Sequence, residues 1–136
     1  MQKVFYSVRK YPFSSVLILG IWIICLIPIP ETPLDNVQFI DKYTHILFYV
    51  SLVSVIAAEY FYKNKKQINR RHFFIGDFLL PMFMGGLIEL VQRYCTFGIR
   101  SGEWLDFLAD SVGVTIAFLF AWITLLVLDK RYGCDK

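Results

Sequence analysis

Four long apolar runs, at about residues 12–29, 45–62, 73–94 and 104–128, take up most of this chain. A helix crosses the hydrocarbon core of a membrane with about 17–25 residues, so each run is long enough to span it. The apolar residues are clustered and do not recur at every second or fourth position. That pattern points to membrane helices and away from an amphipathic soluble bundle. Composition agrees: 57% of the 136 residues are hydrophobic, and 13 of them are Phe. A soluble domain of this length would carry more charge. The expected fold is all-α, a polytopic membrane protein forming one domain, 1–136, with a bundle of four transmembrane helices. No connecting segment is long enough to bury a core of its own.

The first run is closed by "IPIPETP", whose prolines stop a helix. Its basic start, Lys3, Arg9 and Lys10, has the look of a signal peptide. No small-x-small cleavage site follows, so a retained anchor is expected.

Charge placement sets the orientation. Lys3, Arg9 and Lys10 precede the first run; Lys63, Lys65, Lys66, Arg70 and Arg71 lie between the second and third; Lys130, Arg131 and Lys136 follow the fourth. The other two loops hold only Lys42, Arg93 and Arg100 of the 14 basic residues. Basic residues stay on the cytoplasmic side, so both termini and the "KNKKQINRR" loop are expected there. Topology accounts for that basic loop, and no nucleic-acid partner is expected. Cys25, Cys95 and Cys134 fit no disulfide framework or metal motif and are read as unpaired thiols.

Ionisable groups inside membrane spans are costly and face protein or water. Asp41, His45 and Tyr49 are spaced i, i+4, i+8 and line one face at the outer end of the second helix. Glu89, Gln92 and Arg93 occupy the last turns of the third, and Asp106 and Asp110 the first turns of the fourth. Arg100 sits on the short loop between those two helices. At a rise of about 1.5 Å per residue, Glu89 and Asp110 lie roughly 7–9 Å below the outer boundary, in one layer with Tyr49. Asp106 could instead cap the fourth helix, and Asp41 and Lys42 could be interfacial residues. Glu89 and Asp110 are too deep for short side chains to reach water. Glu59 and Asp77, toward the cytoplasmic ends, are expected to be neutralised by Lys63, Arg70 and Arg71. Gly85, Gly86, Ser111 and Gly113 are small enough to let helices approach.

Taken together, "DKYTHILFY", "GGLIELVQ" and "RSGEWLDFLADSVG" resemble the VanZ-like family of small bacterial membrane proteins. The likeness rests on Asp41, Lys42, His45, Tyr49, Gly86, Glu89, Gln92, Arg100, Asp106, Asp110 and Gly113. Asp110 stands where that family commonly has Asn, which puts an extra acid in the pocket. The resemblance implies a multi-pass protein of the bacterial inner membrane linked to the cell envelope, since the family's namesake is associated with low-level teicoplanin resistance. It implies no particular reaction.

Two functional classes follow. In the first, an outward pocket binds or acts on a lipid-linked or peptide-like envelope precursor or a glycopeptide target. Glu89, His45 and Asp106 are then the acid and base candidates, with Asp41, Lys42, Tyr49, Gln92, Arg100 and Asp110 as ligand-binding residues. Lys42 and Arg100 would hold an anionic group. In the second, the chain is a non-catalytic structural or accessory subunit and the polar layer is a folding knot. No cofactor is expected. A metal on His45, Glu89, Asp106 and Asp110 is conceivable, but no HExxH or paired-His spacing supports one, and the expected metal set is empty. Transport by alternating access finds no internal repeat in support. Membrane lipids are expected partners, and oligomerisation is left open.

Overall fold

Three helices long and apolar enough to cross a membrane, and a shorter apolar helix beside them, make up the fold. The computed structural model describes residues 9–27, 39–64, 68–95 and 103–133. We label the helices α1 (Pro12–Leu26), α2 (Ile40–Lys63), α3 (Arg70–Cys95) and α4 (Trp104–Gly133). There is no strand among the described residues.

Helix α1 has 15 residues, or about 22 Å of axis, against a hydrocarbon core of about 30 Å. Its last described residue, Ile27, is already extended, and the remainder of the expected first span lies outside the described residues. The helix starts with Pro12 and has no side-chain cap of its own. Glu59 of α2 takes that role. Its carboxylate accepts hydrogen bonds from the backbone N–H of Phe13 (3.2 Å) and Ser14 (2.9 Å) and from the Ser14 hydroxyl. A carboxylate suits the positive end of a helix dipole. Lys63 lies 3.9 Å from the same group. Neutralisation by Lys63 is thus met in part, while Arg70 pairs with Asp129 of α4 instead.

Helix α2 begins at Ile40, about five residues earlier than the apolar run, after Phe39 in a left-handed conformation (φ 64°). Asp41 and Lys42 are therefore helical. Helix α3 contains a π turn at Ile75–Leu79. Pro81, two residues on, has no N–H to give to the Asp77 carbonyl, and the ladder widens just before it. Asp77 is fully buried there, and neither carboxylate oxygen has a hydrogen-bond partner among the described residues.

Helices α2 and α4 make the most extensive contact in the fold. They are tightly packed at Gly113, where a Cβ would lie 2.7 Å from the Ile46 carbonyl oxygen and 3.1 Å from Tyr49 Cβ. The contact exists because Gly has no side chain, which is how membrane helices commonly approach.

The two ends of the bundle differ. Lys10, Lys63, Arg70, Lys130 and Arg131 sit at the end where α1 and α3 begin and α2 and α4 finish. Beneath them an aromatic core forms from Tyr60, Phe61, Phe73, Phe78, Phe118 and Trp122, with Phe61 stacked on Phe73 at 5.2 Å and Phe78 against Phe118 at 4.9 Å. Tyr60 and Phe73 are buried and point inward. Outward-facing side chains are apolar along the bundle, among them Val16, Leu47, Phe83, Phe120 and Ile123. A surface of that kind suits lipid. The opposite end holds the polar groups.

Candidate functional site

Helical periodicity brings the polar residues of three helices together. On α2, Asp41, His45 and Tyr49 follow one another a turn apart, with Lys42 beside them. The start of α4 turns Asp106 and Asp110 toward them, and the end of α3 brings in Glu89. His45, Tyr49, Glu89, Asp106 and Asp110 are all buried, while Asp41 stays exposed at the rim.

Two pairings connect α2 to α4. His45 Nδ1 and Asp110 Oδ1 are 2.9 Å apart. Lys42 Nζ lies 2.7 Å from Asp106 Oδ1 and 2.8 Å from Glu103 Oε2. A third link ties α3 to the entry of α4: the backbone N–H of Glu103 donates to Glu89 Oε2 at 3.0 Å. Each carboxylate is thereby fixed by one oxygen, and the other oxygen is left over in two cases. Glu89 Oε1 and Asp110 Oδ2, together with Tyr49 Oη, are buried and have no hydrogen-bond partner among the described residues. Buried polar atoms are paired in the great majority of cases, so three orphans in one cluster mark a place built for something other than packing.

Gly85 supplies the room. A Cβ at that position would stand 2.9 Å from Asp110 Oδ2 and 3.2 Å from Tyr49 Oη, so both orphan oxygens face the bare backbone of α3.

The charge balance is acidic. Five acids, Asp41, Glu89, Glu103, Asp106 and Asp110, stand against Lys42, His45 when protonated, and Arg93 at the groove. One ligand atom from each of His45, Glu89 and Asp110 lies within 4.8 Å of the others, and the same holds for Asp41, His45 and Asp106. These residues could hold a cation.

Glu89 also borders a groove on the outside of the bundle. The groove, of about 660 Å³, runs between α3 and α4, lined chiefly by Phe83, Gly86, Leu87, Leu90, Trp104 and Phe107. Its polar lining is Glu89, Arg93 and Glu103. Glu89 therefore belongs both to the buried cluster and to an apolar groove.

The expected site residues divide in three. Lys42, His45, Tyr49, Glu89, Asp106 and Asp110 converge, with Asp41 at the edge. Gln92 is buried but bonds elsewhere, its amide donating to the Cys25 carbonyl of α1 at 2.7 Å. Arg100 lies outside the described residues. Arg93, read from the sequence in the same polar layer as Glu89 but given no ligand role, lines the groove, and Glu103 enters the site without having been among the expected residues. For Glu103 the available signal was an acid immediately before the apolar run that becomes α4.

Fold and site together define an all-helical membrane protein with a buried, mostly acidic polar centre beside an apolar groove. Comparisons with protein-family models, curated proteins and solved structures give no match for this chain.

Proposed function

We propose that this chain is a multi-pass protein of the bacterial cytoplasmic membrane, of the VanZ-like type, that binds an amphiphilic, lipid-linked cell-envelope precursor and acts on it. The observation that carries this reading is the double membership of Glu89. A lipid tail lying in the groove beside Phe107 and Leu90 would place its head at Glu89 without leaving the membrane. Arg93, on the same groove, offers a guanidinium for a phosphate or carboxylate. Behind Glu89 stand His45, held by Asp110, and Asp106, held by Lys42, as the acid and base set. The bias of basic residues toward the other end of the bundle favours an outward-facing site, with both termini cytoplasmic. Glycopeptide (teicoplanin) susceptibility is the phenotype to examine.

A specific observation also favours a second reading. The Lys42–Asp106 and His45–Asp110 pairs join α2 to α4 and would serve equally in a structural subunit whose polar layer is a folding knot.

Native mass spectrometry of the protein in mild detergent, with its lipids identified, separates the two. Wild type is expected to carry a polyprenyl-phosphate-type lipid. Gly86→Leu, which fills the groove floor beside Phe107, is expected to lose it. Glu89→Gln is expected to keep it and lose function. Absence of such lipid from wild type, with variants of His45 and Asp106 failing to accumulate, would favour the knot.

A further inference from the structure

We infer that His45, Glu89 and Asp110 form a binding site for one divalent first-row transition ion, of the Zn²⁺ or Mn²⁺ class, with Tyr49 at its edge. This goes beyond the lipid reading, because the ion needs no lipid in order to bind.

Three observations converge on it. The donors are of the right kind: one imidazole and two carboxylates suit zinc, manganese or ferrous iron, and the gathered set contains no cysteine. Their atoms are already gathered, one from each residue within 4.8 Å of the others. His45 Nδ1 and Asp110 Oδ1, 2.9 Å apart, are close to the spacing of roughly 3.3 Å expected of two ligands each about 2.0–2.1 Å from one tetrahedral ion. Small side-chain rotations of Glu89 would complete the set. Finally, the orphan oxygens point to a ligand. Among the described residues Glu89 Oε1 and Asp110 Oδ2 have no partner although their residues are 8% and 1% exposed, and Tyr49 Oη has none on a residue that is 1% exposed. Metal coordination is one of the few ways to satisfy buried carboxylate oxygens in an acidic cluster.

The ion would take the place of the proton on His45 Nδ1, which otherwise donates to Asp110. Its positive charge would offset Glu89 and Asp110, much as Lys42 offsets Asp106 and Glu103. Glu89 keeps its second oxygen on the Glu103 N–H, which holds the carboxylate in place and leaves Oε1 for the ion. Gly85 contributes by absence, since a methyl group there would sit against Asp110 Oδ2.

The test is metal content and titration on full-length protein in mild detergent. Wild type, Glu89→Gln, Asp110→Asn and His72→Ala are stripped with chelator, checked for helicity and monodispersity, and titrated with ZnCl₂ and MnCl₂ by calorimetry. His72 is exposed and at the other end of the bundle, so it reports adventitious surface binding. The expected result is one ion per chain in wild type and in His72→Ala, and at least tenfold weaker binding in both isosteric variants. Protein from cells should also carry the ion before stripping. Absence of saturable binding by folded wild type overturns the inference. So does binding that Glu89→Gln and Asp110→Asn both retain, or that His72→Ala loses. Lipids extracted from the same preparations are identified in parallel. Wild type that carries the lipid but binds no ion would sink the ion site alone, and wild type that binds the ion but carries no such lipid would sink the lipid reading alone.

Discussion

His45 of α2 and Asp110 of α4 meet through a 2.9 Å contact between Nδ1 and Oδ1, and both side chains are almost wholly buried. The pair lies one turn below Lys42 and Asp106, so two successive turns of α2 are tied to two successive turns of α4. An Asn at position 110 could still accept from His45, whereas Ala could not. Asp110→Asn should therefore fold and accumulate nearly as wild type, and Asp110→Ala should lose about 1–3 kcal/mol. Unfolding by heat or denaturing detergent, followed by circular dichroism, reads the difference. Equal loss in the two variants would show that hydrogen bonding to His45 is not what Asp110 supplies to stability.

The crossing of α2 and α4 depends on the missing side chain at Gly113. A Cβ there meets backbone at 2.7 Å, and backbone cannot swing aside as a flexible side chain can. Gly113→Ala should cost about 1–3 kcal/mol through overpacking. Gly20→Ala in α1, with nothing within 4 Å of the added methyl, should be neutral or gain up to about 1 kcal/mol. The same unfolding measurement checks both, and the two substitutions should differ in sign or nearly so.

Glu59 secures α1 to the rest of the bundle. Glu59→Ala removes the acceptor for two backbone N–H groups and the Ser14 hydroxyl. Hydrogen exchange at residues 13–15 should quicken by at least tenfold, equivalent to about 1.4 kcal/mol, while α4 keeps its protection. Uniform loss of protection would mean that α1 is part of one cooperative unit with the spans.

Orientation is open to a direct chemical check. Cys95 is exposed at the end of α3 nearest the polar cluster, and Cys25 is buried. With Cys134 changed to Ser, a membrane-impermeant maleimide added to intact cells should label Cys95. Labelling only after the membrane is permeabilised would invert the proposed topology.

Much of the fold was legible because membrane helices announce themselves by length and hydropathy. The second, third and fourth runs correspond to α2, α3 and α4, each extended by a few residues at one or both ends. Hydropathy alone puts the start of α2 near His45, because Asp41 and Lys42 look like a boundary, whereas the helical spacing from Asp41 already carried the helix back to that residue. The turn-by-turn spacing of Asp41, His45 and Tyr49, and of Asp106 and Asp110, was enough to bring those residues to facing helices. What spacing cannot carry is a partner on another element. Hence the contacts of Glu59 with Ser14, of Gln92 with the Cys25 carbonyl, and of Glu103 with both Lys42 and Glu89 emerged only from the fold. Asp77 was expected to be neutralised by neighbouring basic residues, yet it lies buried in the π turn before Pro81 with no hydrogen-bond partner or ion pair among the described residues.

The central claim is that an amphiphile lies in the groove between α3 and α4 with its head at Glu89. Site-specific photocrosslinking in native membranes tests it most directly. A photoreactive residue at Leu90, in the groove, is compared with one at Ile123, which is exposed but not part of the groove. The account predicts that Leu90 captures a polyprenyl-linked phosphate lipid and Ile123 captures bulk phospholipid. Capture of the same bulk phospholipid at both positions, in proportion to its abundance, would contradict it.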